Sequence, residues 1–183
     1  LTCYLLALPK AHRMFKDLPN ESDQLEHLLT IDQFMRGKGF EHYEISNFAK
    51  PGHQAQHNLA YWTGKSYLAL GPSAHSFDAE KNQRWKNISN LHKYGKFLSE
   101  EKSVIEWSET LTPEQRDLEK WMLALRLAEG FPKSWLDNSL RQSRAENLLR
   151  AGLLEEIPEV VPMKMRLTPR GFALSDQVIS ALS

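Results

Sequence analysis

The sequence is poor in cysteine and has neither a long apolar run nor an excess of one sign of charge. Its 183 residues include one cysteine, Cys3, which excludes an internal disulfide framework, a cysteine-rich zinc site and an iron–sulfur cluster held by this chain alone. A single cysteine also favours a reducing, cytoplasmic setting. Because no apolar run reaches about 18 residues, no segment is predicted to span a membrane.

The balance of charge argues against a nucleic-acid partner. Lys and Arg number 23, Asp and Glu also number 23, and the formal net charge is zero. The stretch 132–183 has seven basic and six acidic residues, so it neutralises few phosphates. Hydrophobic residues make up 41% of the chain, which is ordinary for a globular protein with a real core.

The first part of the chain has the pattern of an α/β protein. The apolar run 2–8 predicts a buried strand, the helical spacing in 22–36 predicts a helix, and the alternation in 40–46 predicts a second strand. Strand, helix and strand at this spacing indicate a βαβ unit, so we expect the strands to be parallel. Residues 47–65 are interpreted as a long loop, and 66–70 as a third strand.

Three parallel strands are too few to close a barrel. We therefore expect residues 1–110 to be an incomplete (β/α) barrel segment of a larger protein. Its open edge would be covered by a homodimer partner or by a helix predicted at 87–99.

The last part of the chain, 111–183, is predicted to be mostly helical. Thr112-Pro113-Glu114-Gln115 is a strong helix start, with a capping Thr, a Pro at the first position and a Gln three residues on. The remaining predicted elements are helices 132–140 and 143–151, a hairpin of 153–154 with 163–167, and a last helix from Thr168. This order is typical of a winged-helix-like module.

Polar and aromatic residues gather after the predicted strands, where parallel α/β sheets place their sites. His57 and Asn58 either hold the shape of the loop or supply a ligand, His57 most plausibly to a haem-type iron. Tyr61 and Trp62 either form the floor under a planar ligand or plug the loop. After the third strand, Gly71 either makes a sharp turn or lets a ligand approach the backbone. His75 follows nearby, and all these groups are expected on one face.

Three runs of sequence are more specific than any periodicity. They are Tyr43–His53, then His57-Asn58-Leu59-Ala60-Tyr61-Trp62, and then Tyr67–Ser76; Leu167-Thr168-Pro169-Arg170-Gly171 matches more loosely. In these runs the chain resembles the oxygen-independent coproporphyrinogen III oxidase-like proteins of the radical SAM superfamily (HemN and HemW). The HNxxYW element at 57–62 indicates the HemW-like branch, the haem chaperones.

The resemblance implies a site that this sequence holds only in part. Members of the family carry a CxxxCxxC motif that holds a [4Fe–4S] cluster and binds S-adenosylmethionine, and this chain, which begins at Leu1, has no such motif. It is therefore expected to be the last part of the barrel with the C-terminal domain, inactive alone, with the missing N-terminal barrel half as a partner. Further implied partners are porphyrin or haem and a haem-recipient protein.

The resemblance also implies roles for individual residues. Ala7 and His75 match positions at which the oxidase branch contacts a second S-adenosylmethionine, and His57 is the candidate metal ligand. Ala69 and Ser73 stand where the family more often has Gly, so the pocket mouth would be narrower. The competing interpretation is a non-catalytic binding or scaffold domain whose winged-helix-like module docks a partner.

The missing motif gives a first prediction. Anaerobic reconstitution of the chain with iron and sulfide is expected to give no [4Fe–4S] absorbance, because Cys3 cannot replace three spaced thiolates. Iron and sulfide analysis with visible spectroscopy tests this, and a stoichiometric cluster would contradict it.

Overall fold

The computed structural model describes residues 1–158 and 160–183 of an α/β protein. Its helices and strands in chain order are α1 (Glu21–Gly37), β1 (Glu41–Glu44), β2 (Asn47–Ala49), α2 (Gln56–Trp62), β3 (His75–Asp78), β4 (Gln83–Asn87), α3 (Leu91–Ser99), β5 (Ile105–Thr110), α4 (Pro113–Ala124), β6 (Phe131–Pro132), α5 (Ser139–Arg150), β7 (Leu154–Ile157), β8 (Lys164–Leu167), α6 (Pro169–Ala173) and α7 (Ser175–Leu182). No described helix is long and apolar enough to cross a membrane.

The chain forms two compact units. Unit 1 contains residues 1–55 and 124–183, and unit 2 contains residues 56–123. The domain boundary between 110 and 111 stays a prediction.

Unit 1 combines a helix, a small hairpin and a three-stranded sheet. Helix α1 begins after Asn20, whose side-chain oxygen accepts a hydrogen bond from the Asp23 backbone N–H at 3.0 Å. Strands β1 and β2 form an antiparallel hairpin that buries Phe48 and Ala49. The second sheet has the antiparallel order β6-β8-β7, and α6 begins at the predicted cap, where the Thr168 hydroxyl accepts from the Gly171 N–H at 3.0 Å.

Unit 2 is built on the antiparallel sheet β3-β4-β5. Its buried apolar side chains include Phe77 and Ile88 on or next to the strands, and Trp121 on α4. The capping box predicted before α4 is confirmed: Gln115 N–H donates to the Thr112 hydroxyl at 3.3 Å, and Thr112 N–H donates to the Gln115 side chain at 2.8 Å.

The predicted parallel βαβ unit is wrong. Of the run 2–8, only Thr2 pairs, in an isolated antiparallel bridge to Asn47, and every strand pair among the described residues is antiparallel. The predicted strand 66–70 contributes only the bridge Tyr67–Phe77. The physical reason is that an apolar run becomes a strand only where a neighbouring strand receives its hydrogen bonds. The incomplete barrel is thus not confirmed by the described strands.

Other expected elements are corrected in their bounds or type. The predicted loop 47–65 contains β2 and α2, and the helix predicted at 87–99 begins at Leu91, after β4. Residues 132–138 do not form the predicted helix. Pro132 ends β6, the turn 133–135 is a 3-10 turn in which the Trp135 ring lies 6.2 Å from the Phe131 ring, and α5 begins only at Ser139. The hairpin of β7 and β8 is confirmed.

Gly130 lies at a close approach of two backbone segments in unit 1. It has φ +68°, and a Cβ placed there would lie 2.0 Å from the Met165 carbonyl oxygen and 2.8 Å from the Arg166 Cβ. Both the positive φ and the space next to β8 therefore require glycine.

The substitution Gly130→Ala is expected to lower the free energy of unfolding by about 3 kcal/mol, because β8 must shift and a strained φ is added. Gly37→Ala is the matched control: nothing lies within 4 Å of its Cβ position in α1, so we expect a gain of about 0.5 kcal/mol. Urea unfolding of the two variants checks both values, and equal stability would contradict the expected close approach.

Candidate functional site

The HNxxYW residues lie together on the short helix α2 in unit 2. The helix ends at Trp62, two residues before Gly64 with its φ of +64°, and the Thr63 hydroxyl donates to the Leu59 carbonyl at 2.7 Å. His57 is exposed, whereas Tyr61 and Trp62 are half-buried. The prediction that this segment is not helical is wrong, and the helix places His57 and Tyr61 four residues apart on one face.

His57 and Tyr61 form a pair on that helix. The Tyr61 hydroxyl lies 3.0 Å from His57 Nε2, and the two rings meet edge to face at a centroid distance of 4.8 Å. His57 therefore does not hydrogen-bond loop backbone, and Asn58 makes no side-chain hydrogen bond to another described residue. The interpretation that this pair of residues holds the shape of a loop is not supported by these contacts.

A chain of aromatic rings leads from α2 to the sheet of unit 2. Tyr61 contacts Tyr67 at a centroid distance of 4.3 Å, and Tyr67 contacts Phe77 of β3 at 6.2 Å. Burial, followed by the nearby Tyr61 hydroxyl, raises the pKa of the Tyr67 hydroxyl. The Arg116 guanidinium lies over the Phe77 ring at 5.0 Å. These contacts link the HNxxYW helix to the strand that carries His75.

The segment before β3 is held by Asn87 at the end of β4. The buried Asn87 side-chain amide donates to the Gly71 carbonyl at 3.1 Å and lies 3.5 Å from the Ala69 carbonyl. Its backbone N–H donates to the Ala74 carbonyl at 2.9 Å. Gly71 has φ +104°, and its N–H donates to the Tyr94 hydroxyl at 3.2 Å, so the turn required of Gly71 is present.

His75 begins β3, and its side chain is exposed. Its register partner on β4 is Lys86, whose partner on β5 is Trp107. Directly opposite residues of antiparallel strands share a face, so these three side chains form one row. Lys86 and Trp107 were missed by sequence reasoning because only the strand register brings them to His75.

Ala7, the remaining predicted cofactor-binding residue, lies in unit 1 in the exposed N-terminal segment. His53 is also exposed in unit 1, and Cys3 is half-buried there. The described residues contain no group of three or more His, Cys, Asp or Glu side chains that could hold a metal ion. The donor set of the described residues, with Cys3 as its single thiol, therefore does not fit a [4Fe–4S] cluster.

Sequence reasoning also missed a buried cluster in unit 1. Asp32 of α1 lies 2.9 Å from His42 Nδ1 of β1, and its other oxygen accepts from Arg36 Nε at 2.6 Å. His42 Nε2 lies 3.3 Å from the Ile45 carbonyl, and Phe48 stacks on the imidazole ring at 4.2 Å. The imidazole satisfies both acceptors only when it donates from both nitrogens.

The electrostatics of this cluster favour an ionised Asp32. Burial by itself would raise the pKa of the Asp32 carboxyl, but the hydrogen bonds from His42 and Arg36 together outweigh it and lower that pKa. The signal was present in the sequence, because Asp32 interrupts the apolar stripe of Leu28 and Met35 on α1. The cluster forms one wall of a cleft of about 810 Å³ that also reaches Arg166 and Phe172.

Comparison with known proteins finds relatives over most of the chain, although no family model matches it. "Heme chaperone HemW" of Mycobacterium tuberculosis is 32% identical over 163 residues, which is 88% of this chain and 40% of that protein. "Heme chaperone HemW" of Lactococcus lactis is 30% identical over 169 residues, 88% of this chain and 42% of the relative. The protein of the same name from Bacillus subtilis is 28% identical over 90% of this chain and 44% of its own length.

A solved structure supports the same relationship at the level of the fold. The Escherichia coli protein described as "Coproporphyrinogen III oxidase (HemN)", "a Radical SAM enzyme", matches 92% of this chain and 42% of its own chain. The TM-score is 0.64 and the sequence identity is 17%, so the likeness concerns the fold alone. This chain matches the C-terminal part of these proteins and spans less than half of their length.

The role of Asn87 gives a test of how the segment 69–74 is held. Asn87→Asp keeps the size of the side chain but replaces the donating NH₂ with an oxygen that faces two carbonyl oxygens, so we expect a loss of about 3 kcal/mol in the free energy of unfolding.

Asn90→Asp is the matched control, because the Asn90 side-chain oxygen caps α3 by accepting from the Lys93 N–H and a carboxylate does the same. We expect a change within about 0.5 kcal/mol for the control. Denaturant titration at neutral pH measures both, and an unaltered Asn87→Asp protein would show that the amide does not hold the segment.

Proposed function

Because the chain is a homologue of the HemW heme chaperones over most of its length, we propose that it is the haem-binding C-terminal portion of such a chaperone. The observation that carries this proposal is the geometry of α2, which exposes His57 beside Tyr61 and joins both to a chain of aromatic rings. Haem is here the cargo of the protein, bound and passed on.

In this proposal His57 is the axial ligand of the haem iron. An exposed imidazole on a helix can approach the face of a planar ligand without reorganising a core. The half-buried Trp62 and Tyr61 offer ring surface beside it, and the small turn at Gly71 leaves the backbone open to close approach. Asn58, on the same helix, offers an amide to a haem substituent.

The [4Fe–4S] cluster and S-adenosylmethionine belong, in this proposal, to sequence that the relatives have beyond the share matched here. Ala7 and His75 are proposed as contacts to S-adenosylmethionine only when that sequence is present. The chain by itself is proposed to carry no radical chemistry, since its residues do not fit the cluster.

The partner proposed for the exposed apolar residues is the barrel half that precedes this region in the relatives. Tyr4 and Leu6 in unit 1 are 75% and 59% exposed, and Leu68 and Leu70 in unit 2 are 73% and 84% exposed. Such surface supports contact of these segments with further sequence of an incomplete barrel, or with a second copy in a homodimer. The order α5, β7, β8, α6 and α7 supports a winged-helix-like module that would dock a haem-recipient protein.

These same exposed leucines favour the second candidate, a non-catalytic scaffold domain that docks a partner and binds no haem. Haem titration separates the two candidates, because a scaffold domain that binds no haem leaves the haem absorption spectrum unchanged.

Haem titration of the chain is expected to produce a Soret band that His57→Ala removes or shifts, with affinity weaker by about tenfold or more. His53→Ala is the matched control, because His53 is equally exposed and lies outside α2. The proposal is wrong if His57→Ala binds haem with the spectrum and affinity of the unaltered chain.

A further inference from the structure

An exposed row of side chains crosses the sheet of unit 2. His75 of β3 is paired with Lys86 of β4, and Lys86 with Trp107 of β5, so the three side chains stand on the same face. Neighbouring strands are about 4.8 Å apart, so the row is about 10 Å wide. Trp107 is 44% exposed, which is unusual for the largest apolar side chain.

The side chains of the row have ring surface and hydrogen-bond donors that are available to a ligand. The Trp107 ring makes no ring contact, cation contact or hydrogen bond with another residue of 1–158 or 160–183, and neither does the His75 imidazole. Lys86 Nζ makes one ion pair, with Glu106 at 3.3 Å. An ammonium has three donors, so others are left for a ligand.

The neighbouring residues on the same face of the sheet set the boundaries of the exposed row. Two residues further along the strands, the row Phe77, Arg84 and Glu109 is occupied, because Arg116 covers Phe77 and Glu119 pairs with Arg84 at 2.7 Å. On the other side of β3, the antiparallel bridge Tyr67–Phe77 brings Ala69 beside His75. Ala69, with its methyl side chain, is a small neighbour for the imidazole.

The charges near the row favour an anionic ligand. Lys86 and His75 are the basic groups on it. The Glu106 carboxylate accepts from the Ser89 hydroxyl at 3.0 Å and pairs with Lys86 Nζ at 3.3 Å, so an anionic ligand would share Lys86 with this acidic partner or replace it. An indole face beside an ammonium suits a ligand that is flat and carries carboxylates: the ring stacks on the indole, and a carboxylate accepts from the ammonium.

We propose that His75, Lys86 and Trp107 form a platform that binds the ring face and one carboxylate of a porphyrin. The platform rests on the proposed function, which supplies the class of ligand. It is a second contact region beside His57, and it needs no iron, because stacking and a charged hydrogen bond recognise the macrocycle and its carboxylates.

Metal-free protoporphyrin IX is the probe that tests the platform without axial ligation. Its fluorescence is followed during titration of the chain. Trp107→Leu is expected to weaken binding about tenfold and Trp107→Phe less than about threefold, because a smaller ring still stacks. Lys86→Ala is expected to weaken binding about fivefold and to remove most of the salt dependence.

Two controls make the result specific. Leu98→Ala removes an exposed apolar side chain from α3, and Lys81→Ala removes an exposed charge from the turn before β4; neither is on the row, so both should bind as the unaltered chain does. Far-UV circular dichroism checks that each variant is folded.

The outcomes separate the platform from the proposed function. Unchanged porphyrin binding by both folded Trp107→Leu and Lys86→Ala overturns the platform, whatever His57→Ala does to haem. Unchanged haem binding by His57→Ala, together with weaker porphyrin binding by Trp107→Leu, overturns axial ligation by His57 and supports the platform.

Discussion

The hydrogen bonds of Asn87 are the constraint on which the candidate site of unit 2 depends. One buried amide and one backbone N–H at the end of β4 bind carbonyl oxygens between Ala69 and Ala74, a segment that makes few sheet hydrogen bonds of its own. This fixes where β3 begins, and therefore which residue stands opposite Lys86. The register of the sheet then carries His75 to the row with Trp107, and the bridge at Tyr67 ties the HNxxYW helix to the same strand.

Local signals in the sequence predicted those parts of the fold that local interactions determine. The capping box at Thr112 and the cap at Thr168 are confirmed because each needs only residues three positions apart. The apolar runs 2–8 and 66–70 suggested strands, yet strand formation depends on partners that periodicity cannot identify. Strands β4 and β5 were missed for the opposite reason: most of their residues are polar, and long-range pairing alone makes them strands.

Some residues of the candidate site can likewise be identified from the local sequence, and others only from the pairing of distant strands. The motif at 57–62 is enough to single out His57 and Tyr61 from the sequence, and the helix brings their side chains into contact. The pair of Asp32 and His42 could have been predicted from the sequence, because a carboxylate inside an apolar helical stripe is buried and therefore needs a hydrogen-bonding or charged partner. Lys86 and Trp107 were not, because they are separated in sequence by a helix and meet His75 only through the sheet.

The contact between Tyr61 and His57 bears on how strongly His57 would bind the haem iron in the proposed function. The Nε2 atom of His57 already has a hydroxyl as its neighbour, so coordination through that nitrogen is an exchange of one partner for another. Coordination would break the hydrogen bond between Tyr61 and His57, so the free energy of that bond is lost from the net affinity for the metal. When the metal dissociates, the Tyr61 hydroxyl can form the hydrogen bond to His57 again. In the proposed function, a hydroxyl that competes for the His57 nitrogen favours a short residence of haem, which suits delivery rather than storage.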